Sequence, residues 1–118
     1  MSIDLKRAYE PAAQNDGYRV LVDRVWPRGV TKDALRIDAW LKELAPSAGL
    51  RQWFGHDPAK WTEFKQRYAR ELEACSEQLE ELAQRARRGR VTLVFGARDT
   101  ERNNAVALKE QLERRLTR

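Results

Sequence analysis

The chain has 118 residues, of which 42% are hydrophobic and 35% charged, and a formal net charge of +5. This length argues for one domain over 1–118 with a modest core, and the positive balance favours anionic partners, either nucleic acid or phosphorylated and carboxylated small molecules. No apolar run approaches the roughly 18 residues that span a membrane, MSIDLKRAYE lacks the apolar stretch of a secretory leader, and a single cysteine excludes an internal disulfide, so a cytoplasmic protein is expected.

Ile3 and Leu5 alternate with polar neighbours, which predicts a short first strand. EPAAQNDG at 10–17 is a polar turn, with Asn15-Asp16-Gly17 as its turn chemistry. Residues 18–22 read as a second strand, and the unbroken Val20-Leu21-Val22 predicts burial on both faces. Thr31 can cap a helix, with Asp33 in its first turn. Ile37, Trp40, Leu41 and Leu44 then fall at i, i+3, i+4 and i+7, which predicts a helix running up to Pro46. Ser47 can cap a short turn bearing Leu50, Trp53 and Phe54. Asp57-Pro58 is a helix start, with the acid as N-cap and proline at the first helical position.

From Trp61 to Ala86 the apolar residues step by threes and fours. Two consecutive helices are expected there, broken and recapped near Ser76. Cys75 lies in this pattern and reads as a buried, inert thiol. Gly89 ends it. Residues 91–95, VTLVF, form the strongest predicted strand, and a last helix is expected over about 101–116 with Asp99 or Thr100 as its cap. Trp40, Leu41, Trp61, Phe64, Leu93 and Leu108 are the predicted core. Strands alternating with helices give an α/β class, a mainly parallel sheet covered by helices. The strands at 18–22 and 91–95 should be parallel neighbours, with any ligand gathered at their carboxyl ends.

Three stretches carry candidate chemistry. DRVWPRG follows the second strand. Its Arg24 and Arg28 can hold a carboxylate or phosphate by forked hydrogen bonds, or can pair with Asp23, Asp33 or Asp38 as structural salt bridges. Trp26 is either core or an aromatic platform for a ligand, and Gly29 suits a positive φ. GARDTERNNA follows the last strand, with Arg98, Asp99, Asn103 and Asn104 placed either to face a ligand or to cap and solvate a helix start. It lacks the glycine spacing of a phosphate loop. In WFGHDP, His56 beside Asp57 is a candidate acid/base, or a plain loop residue next to a cap. His56 and Asp99 are the candidate catalytic groups, and Asp23, Arg24, Trp26, Arg28, Arg98, Asn103 and Asn104 the candidate ligand-binding ones. With one histidine and one cysteine, no metal site of the usual zinc type is expected.

DGYRVLVDRVWPRGVTK, IDAWLKELAPSAGLRQWFGHDPAKWTEFKQRY and VTLVFGARDTERNNAVALK, in this order, resemble the DUF488 family in its short, YeaO-like form. The resemblance covers about residues 3–116. It implies a small cytoplasmic bacterial protein of α/β fold and brings no established activity with it. It also implies that Arg24, Trp26, Pro27, Arg28 and Gly29 belong to one signature segment, and Trp53, Phe54, His56 and Asp57 to another. Relatives often carry a histidine near the start of the last helix, where this chain has Arg102-Asn103-Asn104. Asparagine can hydrogen-bond there but cannot shuttle protons at neutral pH.

The leading expectation is an anionic small molecule, a nucleotide or phosphorylated metabolite, bound in a basic polar pocket at the strand ends, with or without catalysis. One alternative is a nucleic-acid-binding module using Arg85, Arg87, Arg88, Arg90, Arg114, Arg115 and Arg118. Another is a protein-interaction domain without chemistry. The residues specify neither a cofactor nor an oligomeric state.

Overall fold

The computed structural model describes residues 2–117. Its sheet is wholly parallel and contains β1 (Ser2–Arg7), β2 (Tyr18–Leu21), β3 (Ala39–Trp40) and β4 (Arg90–Phe95), in the order β1-β4-β2-β3. β4, the most apolar strand, takes an interior place and pairs on both sides. Leu5 and Val20 both oppose Leu93. The expected parallel pairing of the second and last strands is therefore present, and the Val22 amide prolongs it by donating to the Val94 carbonyl at 3.1 Å.

Five helices accompany the sheet among the described residues: α1 (Lys32–Leu35), α2 (Ala48–Phe54), α3 (Trp61–Leu72), α4 (Ser76–Arg88) and α5 (Asn104–Leu116). The Ser47 hydroxyl caps α2 by accepting from the Leu50 amide. Asp57 accepts from the Ala59 amide and opens a short 3-10 turn, Pro58–Lys60, that leads into α3. A second 3-10 turn, Glu73–Cys75, separates α3 from α4, so the break falls beside Ser76 as expected. Ser76 does not cap, however. The Cys75 thiol is half-buried and donates to the Glu43 carbonyl at 3.3 Å.

α2, α3, α4 and α5 all pack on one face of the sheet. Val20, Val22, Val91, Leu93 and Phe95 meet Leu50, Phe54, Phe64, Tyr68, Leu82, Leu108 and Leu112 there. Leu93 is fully buried, which is worth about 1.5–3 kcal/mol relative to exposure. The other face is thinly covered. Ala8, Leu21, Leu35 and Val94 form a small second cluster, roofed by half-buried Trp26, Val30, Ile37 and Trp40.

The same thin face carries a buried polar knot. Asp16 accepts from Lys6 Nζ at 3.0 Å, from Arg19 Nη1 at 2.7 Å and from the Ala13 amide at 2.9 Å. The remaining Arg19 donors, Nε and Nη2, both reach the Leu35 carbonyl. Burial pushes the Asp16 carboxyl up, but these donors outweigh it and hold the group below the ordinary range. Gly17, at φ +70°, follows directly, and a Cβ there would collide with the Arg90 carbonyl.

Three expectations need correction. The helix predicted up to Pro46 stops at Leu35, where Arg36 turns into the left-handed region at φ 48°. Asp38 then clasps the edge of β2, its amide donating to the Arg19 carbonyl and its carboxylate accepting from the Arg19 amide. Ala39–Trp40 follows as a strand. The helical spacing of Ile37, Trp40, Leu41 and Leu44 is thus coincidental, since Ile37 and Trp40 roof the thin face while Leu41 and Leu44 join the main core. Phe64, Leu93 and Leu108 are buried, but Trp40, Leu41 and Trp61 are only half-buried because each lies at the margin of its cluster. Finally, α5 begins at Asn104 rather than near 101, and its cap is Asn103, whose Oδ1 accepts from the Val106 amide at 2.9 Å.

Candidate functional site

β2 and β4 end on a cavity of about 320 Å³. Asp23, Arg24 and Val25 enter it from beyond β2, and Ala97 from beyond β4. Asn103 and Asn104 come from the start of α5. α2 supplies Arg51, Gln52 and Phe54, the following loop His56, and α3 Phe64, with Pro46 completing the wall. The parallel topology explains the convergence, because both interior strands point the same way and end together.

Asp23 is the hub. Its Oδ2 accepts from the Gly96 amide at 2.8 Å, and its Oδ1 from Asn104 Nδ2 at 3.0 Å. The same Nδ2 donates to the Val22 carbonyl at 3.1 Å, and the Asp23 carbonyl accepts from the Trp40 indole at 2.7 Å. One residue therefore ties the two strand ends to the first turn of α5. A Cβ at position 96 would stand 3.2 Å from Asp23 Oδ2, so glycine allows the close approach. Burial raises the Asp23 carboxyl above its ordinary range, and the Asn104 amide, the Gly96 amide and the Arg51 charge offset this only in part.

Two guanidiniums face the cavity. Arg24 lies exposed at the rim, with long contacts from Nε to the Pro46 carbonyl at 3.3 Å and from Nη2 to the Ala45 carbonyl at 3.4 Å. Neither it nor Arg51 pairs with a carboxylate among the described residues. His56 also lines the cavity, held at φ 57°, a conformation that costs a non-glycine residue roughly 1 kcal/mol or more. Its ring lies 6.1 Å from Phe54, which stacks on Phe64 at 4.4 Å.

The geometry thus gathers Asp23, Arg24, His56, Asn103 and Asn104 from the sequence-derived candidates. Asn103 is buried and committed to capping α5, with its Nδ2 donating to the Asp99 carbonyl. Trp26, Arg28, Arg98 and Asp99 lie outside the lining. Trp26 packs edge-on to Trp40 at 5.4 Å and donates to the Val30 carbonyl. This folds the WPRG turn onto the thin face and leaves Arg28 outside the cavity lining. There the Arg28 carbonyl accepts from the Tyr9 hydroxyl, and Gly29 adopts φ 80°. The Asp99 carboxylate accepts from the Arg102 and Glu101 amides, which hold it below the ordinary range, with the His56 charge a minor contributor.

Three guanidiniums therefore do not converge. Arg51 takes the place expected of Arg28 and Arg98. Its only sequence signal was its place one turn before Phe54 in the capped helix, beside WFGHDP. Nor do Arg24 and Arg28 form salt bridges with Asp23, Asp33 or Asp38.

The basic runs are interrupted by acids and rings. Glu80 sits between Arg87 at 3.1 Å and Arg115 at 3.2 Å, Arg90 pairs with Asp4, and Arg85 lies over the Tyr18 ring. Arg118 falls outside the described residues. Among the described residues no cluster of three or more His, Cys, Asp or Glu side chains gathers for a metal, and no helix is long and apolar enough to cross a membrane.

Residues 2–118 match the family model described as the inactive DUF488-N3 subclade, DUF488-N3i. The chain belongs to this family. It is 41% identical to YeaO of Escherichia coli K12 over 112 residues, which cover 95% of this chain and 97% of that one. It is 42% identical to Rv3073c of Mycobacterium tuberculosis H37Rv and to Mb3100c of Mycobacterium bovis over 113 residues, 96% of this chain and 95% of each relative. All three relatives bear the name uncharacterized protein. No solved structure matches the chain. In this DUF488-N3i protein no serine, threonine, cysteine, lysine or tyrosine lines the cavity, which therefore offers none of these nucleophiles.

Proposed function

We propose that the cavity binds a small anionic molecule and does not turn it over. The observation that carries this reading is the pair Arg24 and Arg51, two guanidiniums on one cavity without a carboxylate partner among the described residues. A guanidinium fork matches a carboxylate or phosphate in shape and charge. About 320 Å³ lies at the small end of the range for ligand sites, which suits a compact carboxylated or phosphorylated metabolite better than a nucleotide. The absence of turnover rests on the family's description as inactive and on the lack of a hydroxyl or thiol in the lining. A cytoplasmic setting, favoured by the single cysteine, belongs to the same proposal.

A melting-temperature screen with sulfate, phosphate, sugar phosphates and small carboxylic acids tests the reading. A binder at a hundred times its Kd adds about 2.7 kcal/mol to stability. The Arg24→Ala, Arg51→Ala double variant should lose that response while its ligand-free Tm stays close to the wild type. An undiminished response in the double variant would refute the site.

A further inference from the structure

The cavity carries charge of both signs, and neither sign is neutralised. Asp23 faces it with a carboxylate that makes no ion pair among the described residues. Each Asp23 oxygen accepts one hydrogen bond, from Gly96 or from Asn104. An ionised carboxylate has about four acceptor positions, so capacity remains on both oxygens. Asn104 commits its amide nitrogen to Val22 and Asp23, and no donor among the described residues reaches its amide oxygen. Arg51 is close enough for its charge to favour the ionised form of Asp23, yet it does not close on the carboxylate as an ion pair. A carboxylate and a guanidinium that share a cavity without touching leave a gap that a ligand with both charges can fill. Burial raises the Asp23 carboxyl, and the Arg51 charge across the cavity offsets only part of that, as expected for two groups that do not close into an ion pair.

We infer that the cavity takes a zwitterion the size of an amino acid, its ammonium group donating to the Asp23 carboxylate and the Asn104 amide oxygen and its acid group meeting the Arg51 guanidinium. The inference rests on the anion-binding reading above and narrows it. An ammonium has three donors and no acceptor, which matches two neighbouring acceptors plus water. The ring of Phe54, stacked on Phe64, supplies an apolar wall for the side chain of such a molecule. A plain dianion such as phosphate satisfies Arg51 but meets Asp23 with like charge, so it binds less well than a molecule with one charge of each sign.

Calorimetric titration of the full chain tests this. Each standard L-amino acid is compared with its des-amino acid and its decarboxylated amine, for example leucine with 4-methylpentanoate and 3-methylbutylamine. At least one amino acid should bind about tenfold or more tightly than both of its truncated analogues, the scale of one charge-assisted hydrogen bond. Asp23→Asn should bring the ratio of amino acid to des-amino acid close to one while acid binding persists. Arg51→Ala should weaken the amino acid and the des-amino acid alike. If plain acids bind the wild type as tightly as every amino acid, the zwitterion inference falls and the anion site stands. If no acid of any kind binds, both fall. Should Asp23→Asn fail to fold, the wild-type comparison decides alone.

Discussion

Removing the Asp16 carboxylate should cost this protein a large part of its stability. In Asp16→Ala the Arg19 guanidinium stays buried, with its side chain only 4% exposed, and keeps the Leu35 carbonyl while losing its one ionic partner. Breaking a buried pair from one side costs about 3–5 kcal/mol. The lower end applies, because the Asp16 side chain is 10% exposed and Lys6 can rehydrate. A loss of about 3 kcal/mol is roughly 12 °C in Tm for a chain of this size. Urea unfolding followed by tryptophan fluorescence measures it, with Asp4→Ala as control. The Asp4–Arg90 pair is nearly half exposed on both sides and should cost under about 1 kcal/mol. The folded Asp16 carboxyl lies below its unfolded value, so its contribution is present above about pH 4 and is lost as pH falls through the folded value. The variant should therefore lose less stability on acidification than the wild type. A cost below about 1 kcal/mol, or an unchanged acid slope, would show that the knot is dispensable.

Further outcomes follow from the packing. Leu93→Ala, at a fully buried position in an interior strand, should cost about 2–5 kcal/mol by chemical denaturation, and less than about 1 would make β4 peripheral. Gly17→Ala combines a left-handed backbone with a collision against the Arg90 carbonyl, so its soluble yield and Tm should fall sharply. Tyr68→Phe removes the buried hydroxyl that donates to the Leu44 carbonyl and should cost about 1–3 kcal/mol in urea. Arg28→Ala, exposed and outside the cavity, should move stability by less than about 0.5 kcal/mol and leave any anion response intact.

Local signals were the legible ones. The apolar runs at 18–22 and 91–95, the Ser47 cap and Asp57-Pro58 each act within a few residues, and each appears where it was read. The carboxyl ends of the two interior strands followed from those runs, and with them Asp23, Arg24 and Asn104. What escaped depends on contacts far apart in the chain. Asp38 ends a helical pattern by seizing the Arg19 backbone, a pairing that spacing within 33–44 cannot show. Asp16 has the local signature of a turn residue, because its partners Lys6 and Arg19 lie on two strands that only the tertiary fold brings to it. Arg28 and Arg98 were placed with Arg24 on sequence proximity to strand ends, but the Trp26–Trp40 contact decides where that turn goes.

The place of β4 also governs when the sheet can exist. Synthesis delivers β1, β2 and β3 first, but β1 pairs only with β4, and β2 has just two residues of β3 to hold until then. A nascent chain that has not yet reached Arg90 therefore carries Val20-Leu21-Val22 with an open strand edge, the kind of segment that chaperones and proteases recognise. Completing the sheet needs contacts between the two ends of the chain, and such non-local pairing slows folding relative to a helical bundle of equal length. Ribosomal stalling or truncation before β4 should yield a degraded fragment rather than a smaller folded one.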